Sequence, residues 1–206
     1  MRLGNRKLRA IFAEGTERRS LHCSGARFST LYTNLDLTEI KRDLEEMADL
    51  LFKGGRRKFI CVSLQEKQFF SSKEYRSYYC FTKVKLLKAI SFILDNTYVV
   101  FADFVLRQDF GIPIGGNSSS EIANCTLGWC EFVYMRSLVK DKKWNLAKLL
   151  SRNSRYVDDL ITLNYTNFGT LYSDIYPEGL LMERSGDNDG VINYLDLNIT
   201  FDDQVQ

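Results

Sequence analysis

The sequence predicts a single α+β domain in which antiparallel strands pack against amphipathic helices. Three observations favour this class: apolar residues recur at helical spacing in several segments, short β-favouring runs are joined by tight turns, and no internal repeat is present. Of the 206 residues, 45% are hydrophobic, which is enough for one core. A further argument against a disordered chain is the aromatic share of 13%.

The N-terminal part of the chain predicts a leader, a strand and a helix. Residues 1–25 show no period and are predicted to be a poorly ordered leader, so the domain is expected to occupy residues 26–206. β-Favouring residues at 28–32 predict a strand. Residues 34–52 predict an amphipathic helix, because their apolar residues recur at helical spacing until the pair Gly54-Gly55 ends the pattern.

The middle of the chain predicts a strand, a loop, a helix and a hairpin. Residues 58–62 form a short apolar run typical of a buried strand, and residues 63–80 are predicted to be a long polar and aromatic loop. Thr82 is a suitable N-cap for a second amphipathic helix. Two four-residue runs, 98–101 and 104–107, predict a hairpin with a two-residue turn.

The C-terminal half predicts one long helix and a second hairpin. A Gly/Ser-rich loop over residues 111–120 precedes a helix over residues 121–140. Residues 155–163 predict two strand halves that turn at Asp158 and Asp159. A last helix and two alternating strands are predicted over residues 167–175, 179–183 and 194–201.

The cysteines and the single histidine exclude several kinds of site. No Cys-x-x-Cys pair occurs, and His22 is the only histidine, so the sequence favours neither a zinc site nor a His-dependent catalytic triad. We expect the thiols to be buried or incidental in a reducing compartment. No apolar run approaches the roughly 18–20 residues that cross a bilayer, so the protein is predicted to be soluble and intracellular, without a membrane partner. The five cysteines are Cys23, Cys61, Cys80, Cys125 and Cys130.

A basic cluster follows the first predicted helix. It comprises Lys53, Arg56, Arg57 and Lys58, and it is a candidate contact for a nucleic-acid backbone. The chain as a whole carries a formal net charge of only +2, which gives no strong global signal for nucleic acid. The alternative is a solvated loop, which the charge pattern favours over a binding site.

Two adjacent carboxylates, Asp158 and Asp159, lie between apolar runs. Paired carboxylates in such a setting are costly unless a positive charge lies against them, and Mg²⁺ prefers oxygen ligands of this kind. Taken alone, the pair also fits an exposed turn.

The loop that begins at Gln108 is the second candidate for a functional site, because Gly111 and Pro113 make a stiff backbone that a base or sugar can approach closely. A plain structural loop would look similar.

In this order the two motifs resemble those of reverse transcriptases of retroelements, especially Penelope-type elements. Gly111-Ile-Pro-Ile-Gly115, followed by Ala123-Asn124, is similar to the family's second palm motif. Tyr156-Val-Asp158-Asp159 resembles its Tyr-x-Asp-Asp motif, and Phe28-Ser-Thr-Leu-Tyr32 resembles the end of its first motif. The resemblance implies a polymerase palm-type antiparallel sheet packed with helices, with the fingers and thumb subdomains largely missing from this chain.

The resemblance also implies an RNA-directed DNA polymerase. Its partners would be an RNA template, a DNA primer and deoxynucleotide triphosphates, and its cofactor Mg²⁺ or Mn²⁺. Asp158 and Asp159 would be the catalytic metal ligands, and Tyr32 would lie under the nucleotide sugar. Gln108, Gly111 and Pro113 would shape the nucleotide pocket. Nuclear residence is implied by the resemblance alone.

One departure from the family pattern concerns the chemistry itself. The family's first motif reads approximately Phe-Asp-Phe-Ser-Thr-Leu-Tyr-Thr, and Arg27 stands here in the place of its metal-binding aspartate. A fixed positive charge at that position is expected to pair with Asp158 or Asp159 and to oppose Mg²⁺. Asp36 lies too far along the chain to replace the lost ligand. We therefore expect a truncated and catalytically degenerate copy, or alternatively a non-catalytic palm remnant that binds nucleic acid.

Overall fold

The structure is a computed structural model that describes residues 23–65, 67–163, 168–185, 191–195 and 197–200. Most of the predicted leader, the first residue of the predicted last helix and the end of the last predicted strand lie outside these residues. Within them, helices and antiparallel sheets confirm the α+β class. The helices are α1 (Leu31–Asn34), α2 (Leu37–Leu51), α3 (Lys83–Asp95), α4 (Ser119–Lys140), α5 (Trp144–Leu150) and α6 (Phe168–Ile175). The strands are β1 (Cys23–Phe28), β2 (Phe59–Val62), β3 (Gln68–Ser71), β4 (Tyr79–Phe81), β5 (Tyr98–Phe101), β6 (Phe104–Arg107), β7 (Ser154–Tyr156), β8 (Asp159–Leu163), β9 (Met182–Ser185), β10 (Val191–Tyr194) and β11 (Leu197–Thr200).

A four-stranded antiparallel sheet carries the candidate site. Its strand order is β7-β8-β1-β9, so β1 is hydrogen-bonded on both sides. The Phe28 ring packs edge-on against Tyr176, which follows α6, with 4.8 Å between ring centroids. β1 begins at Cys23, so residues 23–25 of the predicted leader belong to the sheet. The division of the chain into a leader and a domain otherwise stays a prediction.

The prediction of a strand over residues 28–32 is wrong. Only Phe28 belongs to a strand, and the chain turns into the short helix α1 at Leu31. Leu31 and Leu35 are both 1% exposed and lie about one helical turn apart, so a helical turn buries both side chains. Burial at this spacing outweighs the β-propensity of the segment.

In the described part of the chain, α2 and α4 are the two longest helices, and both contribute residues to the core. α2 begins after Asp36, whose carboxylate accepts hydrogen bonds from the backbone N–H groups of Thr38 and Glu39 at 2.7 and 3.0 Å. Asp36 is therefore the N-cap of α2. α4 packs against α2 and buries Ala123 and Leu127 completely. Within the described part of the chain, no helix is long and apolar enough to cross a membrane.

A second antiparallel sheet lies where the sequence predicted only a loop. β2 pairs with β3 on one side and with β4 on the other, so the prediction of a loop over residues 63–80 is wrong. β3 and β4 have four and three residues, which is too short to show a period in the sequence. The predicted hairpin is confirmed as β5 and β6. β10 and β11 form another hairpin where one strand was predicted, and α5 was not predicted.

Candidate active site

The turn between β7 and β8 places two carboxylates at the edge of the central sheet. The predicted hairpin is present, but Tyr156 pairs with Asp159, so the turn consists of Val157 and Asp158. The prediction that Asp159 is a turn residue is wrong, because Asp159 is hydrogen-bonded in register as the first residue of β8. Val157 is buried with a φ of 51°. This left-handed conformation is strained for a β-branched residue and must be held by its surroundings.

Arg155 supplies part of that support through a buried polar network. Its side chain is 7% exposed and donates hydrogen bonds to Glu131 at 2.5 Å and to the Asn124 amide oxygen at 2.6 Å. It also donates to the Val157 carbonyl at 3.0 Å, which fixes the turn directly. Tyr176 completes the network by donating to Glu131 at 2.8 Å, and burial together with the Glu131 charge raises the pKa of Tyr176.

Sequence reasoning did not identify Arg155, Glu131 or Tyr176 as site residues. A signal was nevertheless available, because Arg155 is a charged residue directly before an apolar run that enters the core. Buried arginines are paired in folded proteins, so such a position requires an acidic or amide partner from another element.

Arg27 lies between the carboxylates of the two neighbouring strands. It is directly opposite Asp159 on β8 and opposite Glu183 on β9, and residues opposite one another in antiparallel strands project from the same face of the sheet. Its Nε atom donates to Asp158 Oδ2 at 2.8 Å and lies 3.8 Å from Asp159 Oδ1. The structure thus contains the ion pair that the sequence predicted for an arginine at this position.

The charges in this cluster partly compensate one another. Burial raises the pKa of Asp159, the neighbouring Asp158 raises it further, and Arg27 opposes both effects. The hydrogen bond and charge of Asp158 raise the pKa of Arg27, so the guanidinium stays protonated. The Arg27 side chain is 61% exposed and those of Asp158 and Asp159 are 22% and 30% exposed, so the cluster is open to water on one side.

The donor set of this cluster does not suit a divalent metal ion as it stands. Among the residues that the structure describes, no three His, Cys, Asp or Glu side chains are grouped so that they could hold a metal ion. Arg27 instead occupies the space beside Asp158 and Asp159 with a positive charge. A cation approaching the pair would have to displace the guanidinium and overcome its repulsion.

Tyr32 and the glycine loop meet beside the carboxylates. The Ile112 backbone N–H donates to the Tyr32 carbonyl at 2.7 Å. Gly111 has a φ of 74°, and a Cβ atom on it would lie 2.5 Å from the same carbonyl oxygen. The Asp158 carbonyl accepts a hydrogen bond from the Phe28 backbone N–H at 3.0 Å, which ties the turn to the segment that leads to Tyr32. Burial raises the pKa of Tyr32, and the charge of Asp158 raises it further.

The two other predicted pocket residues lie on the same loop. Gln108 donates from Nε2 to the Phe110 carbonyl at 2.9 Å, so its side chain stabilises the loop. Pro113 is half-buried, and its carbonyl accepts from the Gly116 backbone N–H at 3.4 Å. Whether these two residues and Gly111 contact a nucleotide stays a prediction.

The predicted basic cluster lies apart from this sheet, where the 3-10 turn Lys53–Gly55 connects α2 to β2. Lys53, Arg56 and Lys58 are exposed. Arg57 is half-buried: it donates to the Leu51 carbonyl at 3.2 Å and stacks over the Phe70 ring at 5.0 Å. Three of the four residues therefore present their charge to solvent, and Arg57 has a structural role.

Comparison with known proteins supports the fold and leaves the family open. No protein-family model and no curated protein matches the sequence. Telomerase from Candida albicans, solved with the TWJ fragment of telomeric RNA, matches with a TM-score of 0.51 and 16% identity over 88% of this chain and 30% of that chain. Telomerase from Candida tropicalis, solved with the same kind of RNA fragment, matches with a TM-score of 0.50 and 17% identity over 87% of this chain and 28% of that chain.

These likenesses concern architecture. The chain spans less than a third of the telomerase chains that it matches, and the identity is too low to carry activity or partners across. Telomerase is a reverse transcriptase, and the likeness extends over most of the present chain. The chain therefore has a reverse-transcriptase-like fold.

Proposed function

We propose that the chain is the palm portion of a reverse transcriptase, the RNA-directed DNA polymerase of a retroelement, and that Arg27 disables this copy. One observation carries the proposal: the hairpin of Asp158 and Asp159, the segment of Tyr32 and the Gly111 loop are joined by backbone hydrogen bonds beside the central sheet of a reverse-transcriptase-like fold. These are the residues that the sequence resemblance named. They come from three separate segments, so their meeting in one place adds to each motif taken alone.

The proposed substrates follow from the side chains around the carboxylates. An aromatic ring at Tyr32 would lie under the sugar of an incoming deoxynucleotide and disfavour a 2′-hydroxyl. Gln108, Gly111 and Pro113 would form the floor of the nucleotide pocket and touch the template. The polymer partners would be an RNA template and a DNA primer, a Penelope-type element is the proposed source, and the nucleus is the proposed place of action.

The proposed defect lies in the number and sign of the charges. Template-directed nucleotide addition requires Mg²⁺ or Mn²⁺ to be held by several carboxylates. Here Asp158 and Asp159 are paired with Arg27, and this arrangement does not suit a divalent ion. We propose that replacement of Arg27 by aspartate supplies the missing ligand and removes the competing cation in one step.

A non-catalytic nucleic-acid-binding remnant is the less favoured alternative. It rests on the basic cluster, of which Arg57 is held by the Leu51 carbonyl and the Phe70 ring. Binding through the remaining residues would weaken steeply as salt is added. Lys53→Gln combined with Lys58→Gln would then abolish RNA binding, whereas the polymerase proposal expects these substitutions to leave nucleotide addition in the repaired chain largely intact.

Primer extension on an RNA template tests the proposal. The unaltered chain, Arg27→Asp and the double variant Arg27→Asp/Asp158→Asn are compared with Mg²⁺ and all four deoxynucleotides, after circular dichroism has shown that each is folded. We expect extension by Arg27→Asp alone. Extension by the unaltered chain would refute the proposed defect, and extension by the double variant would show that Asp158 is not a catalytic ligand. Failure of Arg27→Asp to extend the primer while it binds Mg²⁺ would refute the claim that Arg27 alone disables the chain.

A further inference from the structure

The second sheet brings two cysteines face to face. Cys61 on β2 and Cys80 on β4 are directly opposite one another in the antiparallel register. Opposite residues of this kind have their Cβ atoms about 4.5–5.5 Å apart and on the same face, which borders on the separation that a disulfide needs. The two sulfur atoms lie 2.6 Å apart, although both cysteines are present as free thiols. The strands therefore position both sulfur atoms for bonding without rearrangement of the backbone.

From this geometry we infer that Cys61 and Cys80 are a site of reversible oxidation and form a cross-strand disulfide within one chain. The inference concerns a modification site outside the proposed active site, and it does not depend on the proposed function. A shared metal ion is not an alternative that the described residues support, because no third His, Cys, Asp or Glu is grouped with the pair.

The two thiols have different surroundings, which assigns them different roles. Cys61 is fully buried, and burial together with the neighbouring thiol raises its pKa to about 11. Cys80 is only half-buried, and its sulfur accepts a hydrogen bond from the Tyr75 backbone N–H at 3.4 Å. The Cys80 thiol in turn donates to the Cys61 sulfur and to the Tyr75 carbonyl, which holds it beside its partner. Because Cys80 is the more accessible of the two, it is the thiol that meets an oxidant, and Cys61 is the resolving thiol.

The chemistry balances with a peroxide as the oxidant. The Cys80 thiolate attacks one oxygen of hydrogen peroxide, the O–O bond breaks, and Cys80 becomes a sulfenic acid while hydroxide leaves and is protonated to water. Cys61 then loses its proton and attacks the Cys80 sulfur, so the S–S bond forms, the S–O bond breaks and a second water leaves. In total, two thiols lose two electrons and two protons, and one peroxide is reduced to two waters. A dithiol reductant reverses the change by thiol–disulfide exchange.

The bond would fasten the loop that carries a small aromatic cluster. Between the two cysteines the chain forms β3, which carries Phe69, and the turn that carries Tyr75 and Tyr78. The three rings pack edge-to-face, with 5.1–6.1 Å between their centroids. β4 then leads directly into α3, which Thr82 caps. A link between β2 and β4 would join both ends of this segment and thereby restrict its opening.

The other cysteines provide internal controls. Cys23 lies on β1, and Cys125 and Cys130 lie on α4, so none of the three belongs to the second sheet. Cys125 is exposed, so it is the thiol that random oxidation would reach most readily. Burial raises the pKa of Cys130 to about 12, which makes it unreactive.

Peptide mapping after mild oxidation tests the inference on the full chain. Hydrogen peroxide is added to the folded, fully reduced protein, remaining thiols are alkylated, and the chain is digested with trypsin without reduction. Cleavage after Lys58, Lys67, Arg76 and Lys83 yields peptides 59–67 and 77–83, each with one cysteine. We expect these two peptides to be joined, and two of the five thiols to be lost. Dithiothreitol should release both peptides.

Two variants and one change of conditions decide the outcome. Cys125→Ser should leave the linked peptides unchanged, and Cys61→Ser should leave Cys80 as a sulfenic acid that dimedone traps. Unfolding in urea before oxidation should suppress the 59–67/77–83 pairing in favour of mixed pairings. The inference is overturned if peptides 59–67 and 77–83 stay unlinked while Cys125 is oxidised, or if their pairing is as frequent in urea as in the folded chain.

Discussion

Replacement of Arg27 by aspartate is expected to turn the carboxylate pair into a site for Mg²⁺. In the structure, the charges of Arg27, Asp158 and Asp159 sum to −1, and with aspartate at position 27 they sum to −3. The substituted side chain would project from the same sheet face as Asp159, because the two positions are opposite one another in the register. The change therefore adds a ligand and removes a cation without altering the fold around them.

The magnitude follows from Coulomb's law. Because the Arg27 side chain is 61% exposed, the dielectric constant of water is the appropriate choice, and two unit charges about 4 Å apart then interact by about 1 kcal/mol. When the charge at position 27 changes from +1 to −1, the product of its charge with that of Mg²⁺ changes from +2 to −2, a difference of four. The interaction energy with Mg²⁺ therefore becomes more favourable by about 4 kcal/mol. This corresponds to about a thousandfold in the Mg²⁺ dissociation constant. Arg27→Gln removes the positive charge without adding a ligand. It should therefore make Mg²⁺ binding more favourable by about 2 kcal/mol, which lowers the dissociation constant about thirtyfold.

Isothermal titration calorimetry with Mg²⁺, repeated with Mn²⁺, measures this series. Arg184→Asp is the matched control, since Arg184 lies on β9 opposite Ala26 and projects from the other face of the sheet. It changes the net charge of the chain by the same amount as Arg27→Asp. The reasoning is refuted if Arg27→Asp binds Mg²⁺ no more tightly than Arg184→Asp, or if the unaltered chain already binds it in a manner that Asp158→Ala abolishes.

Three further substitutions test the surroundings of the carboxylates. Arg155→Met should lower the free energy of unfolding by about 3 kcal/mol in urea titrations, because it leaves Glu131 without its buried partner; a loss within 0.5 kcal/mol or so would contradict this role. Gly111→Ala should destabilise by about 2 kcal/mol or more, because its Cβ would lie 2.5 Å from the Tyr32 carbonyl oxygen, whereas Gly115→Ala, with a similar positive φ and open space, should cost about 1 kcal/mol; equal losses would show that the contact does not matter. Asp159 has a raised pKa in the folded chain, so its contribution to stability is present below the ordinary aspartate pKa of about 3.9 and is lost as pH rises through the folded value. Asp159→Asn should remove this loss, so its unfolding free energy relative to the unaltered chain should rise from pH 4 to pH 7, and a pH-independent difference would contradict the assignment.

The spacing of apolar residues and the position of turn residues predicted those helices and strands that are determined by residues close together in sequence. The hairpin around Asp158 was predicted because apolar runs flank turn residues, and α2 was predicted because its apolar face repeats at helical spacing. β1 could not be recognised in the same way, since Ser24, Gly25 and Ala26 have little β-propensity. Its conformation is fixed by β8 and β9, which are more than 130 residues away in sequence.

The candidate site shows the same division between local and distant information. The ion pair of Arg27 with Asp158 was predicted because the family resemblance puts Arg27 in the place of an aspartate that would share a metal ion with Asp158. The support of the turn by Arg155, Glu131 and Tyr176 was not predicted, because it joins β7, α4 and the end of α6 through side chains that share no local pattern. Such networks depend on tertiary packing, which a single sequence does not specify.

Arg27 also explains how this sheet can hold neighbouring carboxylates without a metal ion. Three carboxylates at the ends of paired strands would repel one another in the absence of a cation. Burial already raises the pKa of Asp159, and the charge of Asp158 raises it further. Arg27 supplies a permanent positive charge between Asp159 and Glu183 on the same face of the sheet, and it hydrogen-bonds Asp158. The guanidinium thereby stabilises the arrangement of acids that a bound metal ion would otherwise stabilise. A substitution that removes the proposed catalytic function is thus compatible with the palm-like sheet, because the electrostatic requirement of the turn is met within the chain itself.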